Sequence, residues 1–160
     1  GPAVDLMHGV DGDCPTVPWG GDEDYVVSPD GRWLVYTAKV VPGSEQAWST
    51  DWDLWAVPTD GSQPPRCLTE ANEAWDSAPA FSPDGERLVT ATGNAVKLWE
   101  TDTWQEVLTL AGEGTNFNMV AFSPDGRTLM AGTRQNLLHI WSAPSLEAIE
   151  TAEAQPPRTR

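Results

Sequence analysis

Positive charge and cysteine are both scarce in this chain. Nine Lys and Arg stand against 24 Asp and Glu, a formal net charge of −15 over 160 residues. A surface of that sign repels phosphate backbones and anionic lipid, which argues against nucleic acid and membrane surfaces as partners. It leaves a solvated acidic surface or a basic partner. There are two cysteines, Cys14 and Cys67, with no C-x-x-C, and both are expected as free thiols. No apolar run approaches about 18 residues, the length that suggests a membrane-spanning helix. The opening GPAVDLMHG has neither the basic nor the apolar region of a signal peptide, which points to the cytoplasm. Helical periodicity is nearly absent too, and that excludes most all-α and α/β architectures.

What the chain does have is a repeated tetrapeptide. Ser-Pro-Asp-Gly begins at Ser28, Ser82 and Ser123, spaced 54 and then 41 residues apart. Proline presets φ, aspartate bonds back to the local backbone and glycine takes positive φ, so each copy predicts a tight turn. Strand-like runs flank every copy: 24–27 and 33–37, 78–81 and 87–91, 118–122 and 128–132. A third strand follows at 53–57, 95–99 and 137–141, and a fourth at 65–69 and 106–110. Four short antiparallel strands per unit, repeated every 40–50 residues, predict an all-β fold of β-propeller blades. A β-sandwich would also use many short strands, but it would not repeat one hairpin in one place.

The blades are expected at about 22–69, 76–110 and 117–141, within a single domain over 1–154. The third has no obvious fourth strand. The segment after it, with Ser145 as cap and Leu146, Ile149 and Ala152 at helical spacing, predicts a short C-terminal helix. Residues 155–160 form a polar tail. At the other end, Val4–Met7 is expected to supply an outer strand that latches the ends by pairing with the last blade. Propellers usually close with about four to eight blades. Three blades therefore raise three alternatives: oligomerisation into a shared ring through the open sheet edges, an open array, or a fragment of a longer polypeptide.

Two family resemblances can be placed on these residues. From about Val96 to Ala154, VKLWE, LTLAGEG, VAFSPDGRTLMAGT and LLHIWSAPSLEAIE resemble the C-terminal blades of bacterial WD-repeat proteins. The strand-closing dipeptides are Trp-Glu and Trp-Ser instead of Trp-Asp, and the Gly-His pair is missing, which counts against the usual Asp-His network. From about Asp11 to Asp84, DGDCPTVPWGGDEDYVVSPDGRWLVYTAK and the segment running to the second SPDG are similar to the propeller domain of prolyl-oligopeptidase-type serine peptidases, of the acylaminoacyl and dipeptidyl peptidase kind. That resemblance implies a lid that filters access to a separate α/β-hydrolase domain. No G-x-S-x-G is present to mark such a domain. The two resemblances meet near 82–95, and a natural fusion, a remnant and a deliberate chimera all fit that seam.

Candidate sites are few. Asp11-Gly12-Asp13 and Asp22-Glu23-Asp24 lack the ligand number and closing Glu of a calcium loop, so no metal site is expected. No cofactor motif is present, and AGEGTN at 111–116 reads as a connection between blades. His8 and His139 are the only histidines. His8 is expected in a solvated turn and His139 as a packed or rim residue, so no catalytic residue is expected and the chain reads as a non-enzyme. Nine tryptophans are the more informative feature. Trp33, Trp55, Trp99 and Trp141 lie in strands and are expected between blades. Trp48, in the long loop Val40–Thr50, and Trp104, in a tight turn where a small residue would serve, are the expected exposed binding aromatics. The function these features support is a non-catalytic scaffold for protein or peptide, with self-association through open blade edges. The alternative is a detached substrate-gating portion of a peptidase.

Overall fold

The computed structural model describes residues 3–18 and 20–143. They form eleven strands in three antiparallel sheets. The first sheet holds β1 (Tyr25–Val27), β2 (Trp33–Ala38), β3 (Asp53–Pro58) and β4 (Arg66–Cys67) in sequence order. The second holds β5 (Ser77–Phe81), β6 (Arg87–Ala91), β7 (Ala95–Glu100) and β8 (Gln105–Ala111), again in sequence order. The third holds β9 (Phe117–Phe122), β10 (Thr128–Thr133) and β11 (Leu138–Ser142). A single 3-10 turn at Asp22–Asp24 precedes β1. The C-terminal helix expected at 145–154 and the tail at 155–160 lie outside the described residues, as does Trp19.

The SPDG turns are the same device three times. In the first, the Ser28 hydroxyl donates to Asp30 Oδ1 at 2.7 Å and accepts from the Trp33 amide at 2.9 Å. The Arg32 amide donates to the same Asp30 oxygen at 3.0 Å. In the second, Ser82 donates to Asp84 at 2.5 Å while Glu86 and Arg87 supply the two amides. In the third, Ser123 donates to Asp125 at 2.5 Å, and Arg127 and Thr128 supply them. Gly31, Gly85 and Gly126 have φ of 73°, 76° and 70°, a region that glycine enters without steric cost. Two donors on each carboxylate, the serine hydroxyl and a backbone amide, stabilise its charge. The hydrogen bond from Ser28 leads in holding Asp30 down at about 2, and the equivalent bonds lower Asp84 and Asp125. The turns also stack in series: a Cβ on Gly85 would lie 3.5 Å from Pro29 Cδ, and one on Gly126 would lie 3.5 Å from Pro83 Cδ.

Side-chain alternation then assigns each strand face to a neighbour. The leucine six residues after each turn serine is Leu34, Leu88 or Leu129, and each faces the preceding layer. The next residue is Val35 or Val89, which faces the following layer, or Met130, which points outward from the third sheet. Leu88, Trp99 and Trp104 from the second sheet meet Val35, Leu54 and Ala56 from the first. Val89, Ala91 and Val96 from the second sheet meet Phe117, Leu129 and Ala131 from the third. Val35, Leu54, Leu88, Val89 and Val96 are fully buried in these layers, and burying each such Leu or Val contributes about 1.5–3 kcal/mol.

The outer layers differ at the two ends. Tyr36, Ala38 and Val57, on the free face of the first sheet, are covered by Leu6, Met7, Val10 and Cys14. Here the expectation for the N-terminus is corrected. Val4–Met7 forms no strand and does not pair with the last sheet. It lies across the first sheet, and a turn closed by the Val10 amide on the Met7 carbonyl at 2.8 Å follows it. The physical reason is that Tyr36 and Val57 present an apolar face close in sequence, so covering it costs little loop-closure entropy. At the far end Met119, Met130, Leu138 and Ile140 stay 51%, 36%, 59% and 58% exposed.

Both cysteines are free, as expected. Burial pushes each thiol up to about 11, so neither is an available nucleophile. No helix among the described residues is long and apolar enough to cross a membrane.

Candidate peptide-binding cleft

The strands deliver two sets of loops to opposite ends of the sheets. One end carries the SPDG turns. The other carries the lead-ins to β1, β5 and β9 and the connections β2–β3, β6–β7 and β10–β11. A cleft of about 560 Å³ opens at this second end and draws walls from all three sheets, among them Lys39, Trp52, Trp75, Asn118 and Arg134. Smaller hollows of about 240 and 250 Å³ continue it at either side, the first sharing Lys39 and Trp52, the second sharing Trp75 and Arg134.

Lys39 and Arg134 occupy the same place in the repeat, eleven residues after Ser28 and Ser123, where β2 and β10 end. Lys39 Nζ lies 5.5 Å from the centre of the Trp52 ring and donates to the Gln46 carbonyl at 2.7 Å. The Trp52 and Trp75 rings are 6.1 Å apart at 30°, and the Asp76 amide donates to the Trp52 carbonyl at 2.9 Å. Arg134 Cζ lies 5.5 Å from the Trp75 ring. The result is a row of cation, ring, ring and cation that crosses the three sheets. Each cation–ring contact contributes about 0.5–2 kcal/mol. The equivalent position in the second sheet is Gly93, which leaves the middle of the row open.

The turn carrying Arg134 is anchored. Its amide donates to the Asn116 carbonyl at 3.1 Å, and the Asn116 amide donates to the Gly93 carbonyl. Gln135 accepts from the Thr115 amide at 2.7 Å and donates to the Thr115 hydroxyl at 2.8 Å. Across the cleft the carboxylate of Asp24, 5% exposed, accepts from the Thr16 amide at 2.7 Å. Between the first two sheets lies a fully buried carboxyl, Asp76, whose Oδ2 accepts from Asn72 Nδ2 at 2.5 Å. Loss of water pushes it up to about 7.

The two tryptophans expected as binding aromatics part company. Trp48 is 71% exposed. Trp104 is 7% exposed, and the expectation that it stands in solvent is corrected. It adopts φ 55°, which turns its ring back under β2, where it meets Trp33 edge-on at 5.1 Å. It is a packing residue between the first two sheets. Trp33, Trp99 and Trp141 pack between sheets, as expected, while Trp55 packs towards the N-terminal segment. Trp99 Nε1 donates to Thr90 at 3.0 Å inside that layer. His139 stacks on Trp141 at 5.5 Å, and its Nε2 meets the Glu113 carbonyl at 2.8 Å, so it is a packed histidine. Among the described residues no group of three or more His, Cys, Asp or Glu is placed to hold a metal ion.

Sequence reading missed Lys39 and Arg134, and placed Trp52 and Trp75 only among the tryptophans of loops or strand starts. The available signal was the equivalence of Lys39 and Arg134 in the repeat. Their meeting with the two rings depends on how the sheets stack.

Comparison with known proteins agrees with this geometry. Residues 71–100 and 104–142 match the family model described as WD domain, G-beta repeat, which is somewhat under half of the chain. These sheets are β-propeller blades. Their other resemblance is to peptidases. The chain is 31% identical over 151 residues to dipeptidyl-peptidase 5 of Trichophyton equinum, a match covering 81% of this chain and 20% of that protein. For dipeptidyl-peptidase 5 of Aspergillus fumigatus the figures are 24% over 139 residues, 76% and 19%. For that of Porphyromonas gingivalis they are 31% over 84 residues, 52% and 12%. The chain thus spans about a fifth or less of the length of these curated relatives. The blades described above therefore carry both resemblances, WD-repeat and peptidase propeller.

Proposed function

We propose that residues 1–154 act as one non-catalytic propeller unit that binds protein or peptide at the cleft end of its blades. The observation that carries this reading is the cleft itself. It draws aromatic and charged side chains from three blades onto one anchored surface, the arrangement expected of a binding hot spot. Trp48, in the adjoining Val40–Thr50 loop, is the exposed aromatic that extends this surface. The test is a random-peptide library screened against the immobilised chain, with bound peptides located by NMR shift changes. Shifts at 16–24, 39–52 and 75–78 support the reading. Absence of any binder, or shifts confined to the SPDG end, refutes it.

Self-association is a second reading, favoured by the outer face of the third blade, where Met119, Met130, Leu138 and Ile140 are exposed among the described residues. The first blade is sealed by the N-terminal segment, so a head-to-tail ring of copies is blocked. A second copy is then expected on the third blade, face to face through Met130 and Ile140. Light scattering on a sizing column across a dilution series should show a dimer that Met130→Lys converts to monomer. A monomer at every concentration refutes it.

The peptidase-gating reading rests on the names of the relatives and on the fraction of them that the chain spans. It requires a hydrolase domain with G-x-S-x-G encoded beside this segment, which sequencing of the flanking DNA decides.

A further inference from the structure

The hollow between the second and third blades has a chemistry of its own within the cleft. About 250 Å³ in volume, it is lined by Trp75, Ser77, Gly93, Asn116, Phe117, Asn118 and Arg134. No carboxylate lines it, in a chain of net charge −15. No ion pair among the described residues engages Arg134. Its guanidinium is exposed and rests against the Trp75 ring, a placement that fixes the plane of the fork while leaving donors open. Ser77 and the two asparagine side chains supply neutral polar atoms around it. Phe117, 3% exposed, and Trp75 form the apolar wall. The hollow combines one cation, neutral donors and aromatic surface, at a size that admits a single residue and not a drug-sized ligand.

We propose that this hollow is a carboxylate pocket: it takes one carboxylate of a bound peptide on Arg134, with the neighbouring apolar group on Trp75 and Phe117. This rests on the peptide-binding reading above and specifies its ligand. A guanidinium matches a carboxylate through two parallel N–H···O bonds. A polyanion is disfavoured, because the surrounding field of a −15 chain repels extended negative charge while a single carboxylate meets only the local cation. The pocket is preformed, since Arg134 is held through Asn116 to Gly93 and through Gln135 to Thr115. Little ordering entropy is then lost on binding. Two sources of the carboxylate share this chemistry, a peptide C-terminus and an Asp or Glu side chain.

The experiment is calorimetric titration of the whole chain with three probes: acetyl-Ala-Gly-Leu with a free carboxylate, its C-terminal amide, and acetyl-Ala-Glu-Leu amide. Binding of the first alone assigns a C-terminus, and binding of the third assigns an acidic side chain. In either case Arg134→Gln should weaken binding about tenfold or more, as expected for loss of a charge-assisted pair. Affinity should also fall as salt is raised. Asn118→Asp, an exposed change that brings a like charge to the pocket, should abolish binding even if Arg134→Gln proves unstable. Equal binding of the uncharged amide overturns the proposal and leaves the peptide-binding reading standing. So does unchanged affinity in both variants, or displacement by inorganic phosphate at the same concentration as the peptide. Failure of these probes together with failure of the library screen removes both.

Discussion

Asp76→Asn separates the cost of a buried charge from the shape of the residue that bears it. Asp76 begins the second blade, fully buried against the first, with its amide on the Trp52 carbonyl. Asn72 donates to one carboxyl oxygen, and the other has no partner among the described residues. Desolvation dominates and raises the group from 3.8 to about 7, although the Asn72 bond and the nearby Lys97 favour the charge; Asp53 adds to the rise. Between those values the folded chain holds a proton that the unfolded chain has released. Stability therefore falls as pH rises through that window and levels off above about 7. Integrating the two titrations gives a loss of about 2.5 kcal/mol between pH 5 and pH 8. Asparagine keeps the volume and can still accept from Asn72, but it does not titrate. Asp76→Asn should therefore gain about 2.5 kcal/mol on the wild type between pH 5 and pH 8, or about 5–10 °C in Tm for a chain of this size. Differential scanning calorimetry of both chains at both pH values measures this. A stability difference between the two chains that is the same at pH 5 and pH 8 would refute the reasoning, because it would mean that Asp76 does not hold the proton.

Other outcomes follow from the same packing. Gly85→Ala should cost about 1–2 kcal/mol by urea denaturation, since alanine must adopt positive φ there beside Pro29. An unchanged midpoint would show that the turn relaxes freely. Trp104→Ala should cost about 3–5 kcal/mol, while Trp48→Ala should stay within about 0.5 kcal/mol of wild type. Equal losses would contradict the opposite burial of these two rings. Asp30, Asp84 and Asp125 are held below the ordinary carboxylate range, so their contribution is present above it and is lost as pH falls through their lowered values. Replacing all three by Asn should flatten the acid limb of a Tm-against-pH curve, and an acid limb of unchanged steepness would show that the turns do not carry it.

Much of this protein was legible from its sequence, for local reasons. SPDG specifies its turn through atoms only a few residues apart, so three copies placed three hairpins with strand ends within one or two residues. Leu and Val or Met alternate beside each turn, but which face looks backward and which forward came only from the packing of the sheets. Stacking decided the rest. Trp104 looked exposed because its turn needs no large residue, but the neighbouring blade offers its ring the edge of Trp33. Val4–Met7 looked like a strand, yet the apolar face of Tyr36 and Val57 lay nearer than the last blade. The row of Lys39, Trp52, Trp75 and Arg134 belongs to no segment of the sequence. It exists because three blades superpose the same loop position, and a linear chain records that position without recording which side chains from other blades will stand beside it.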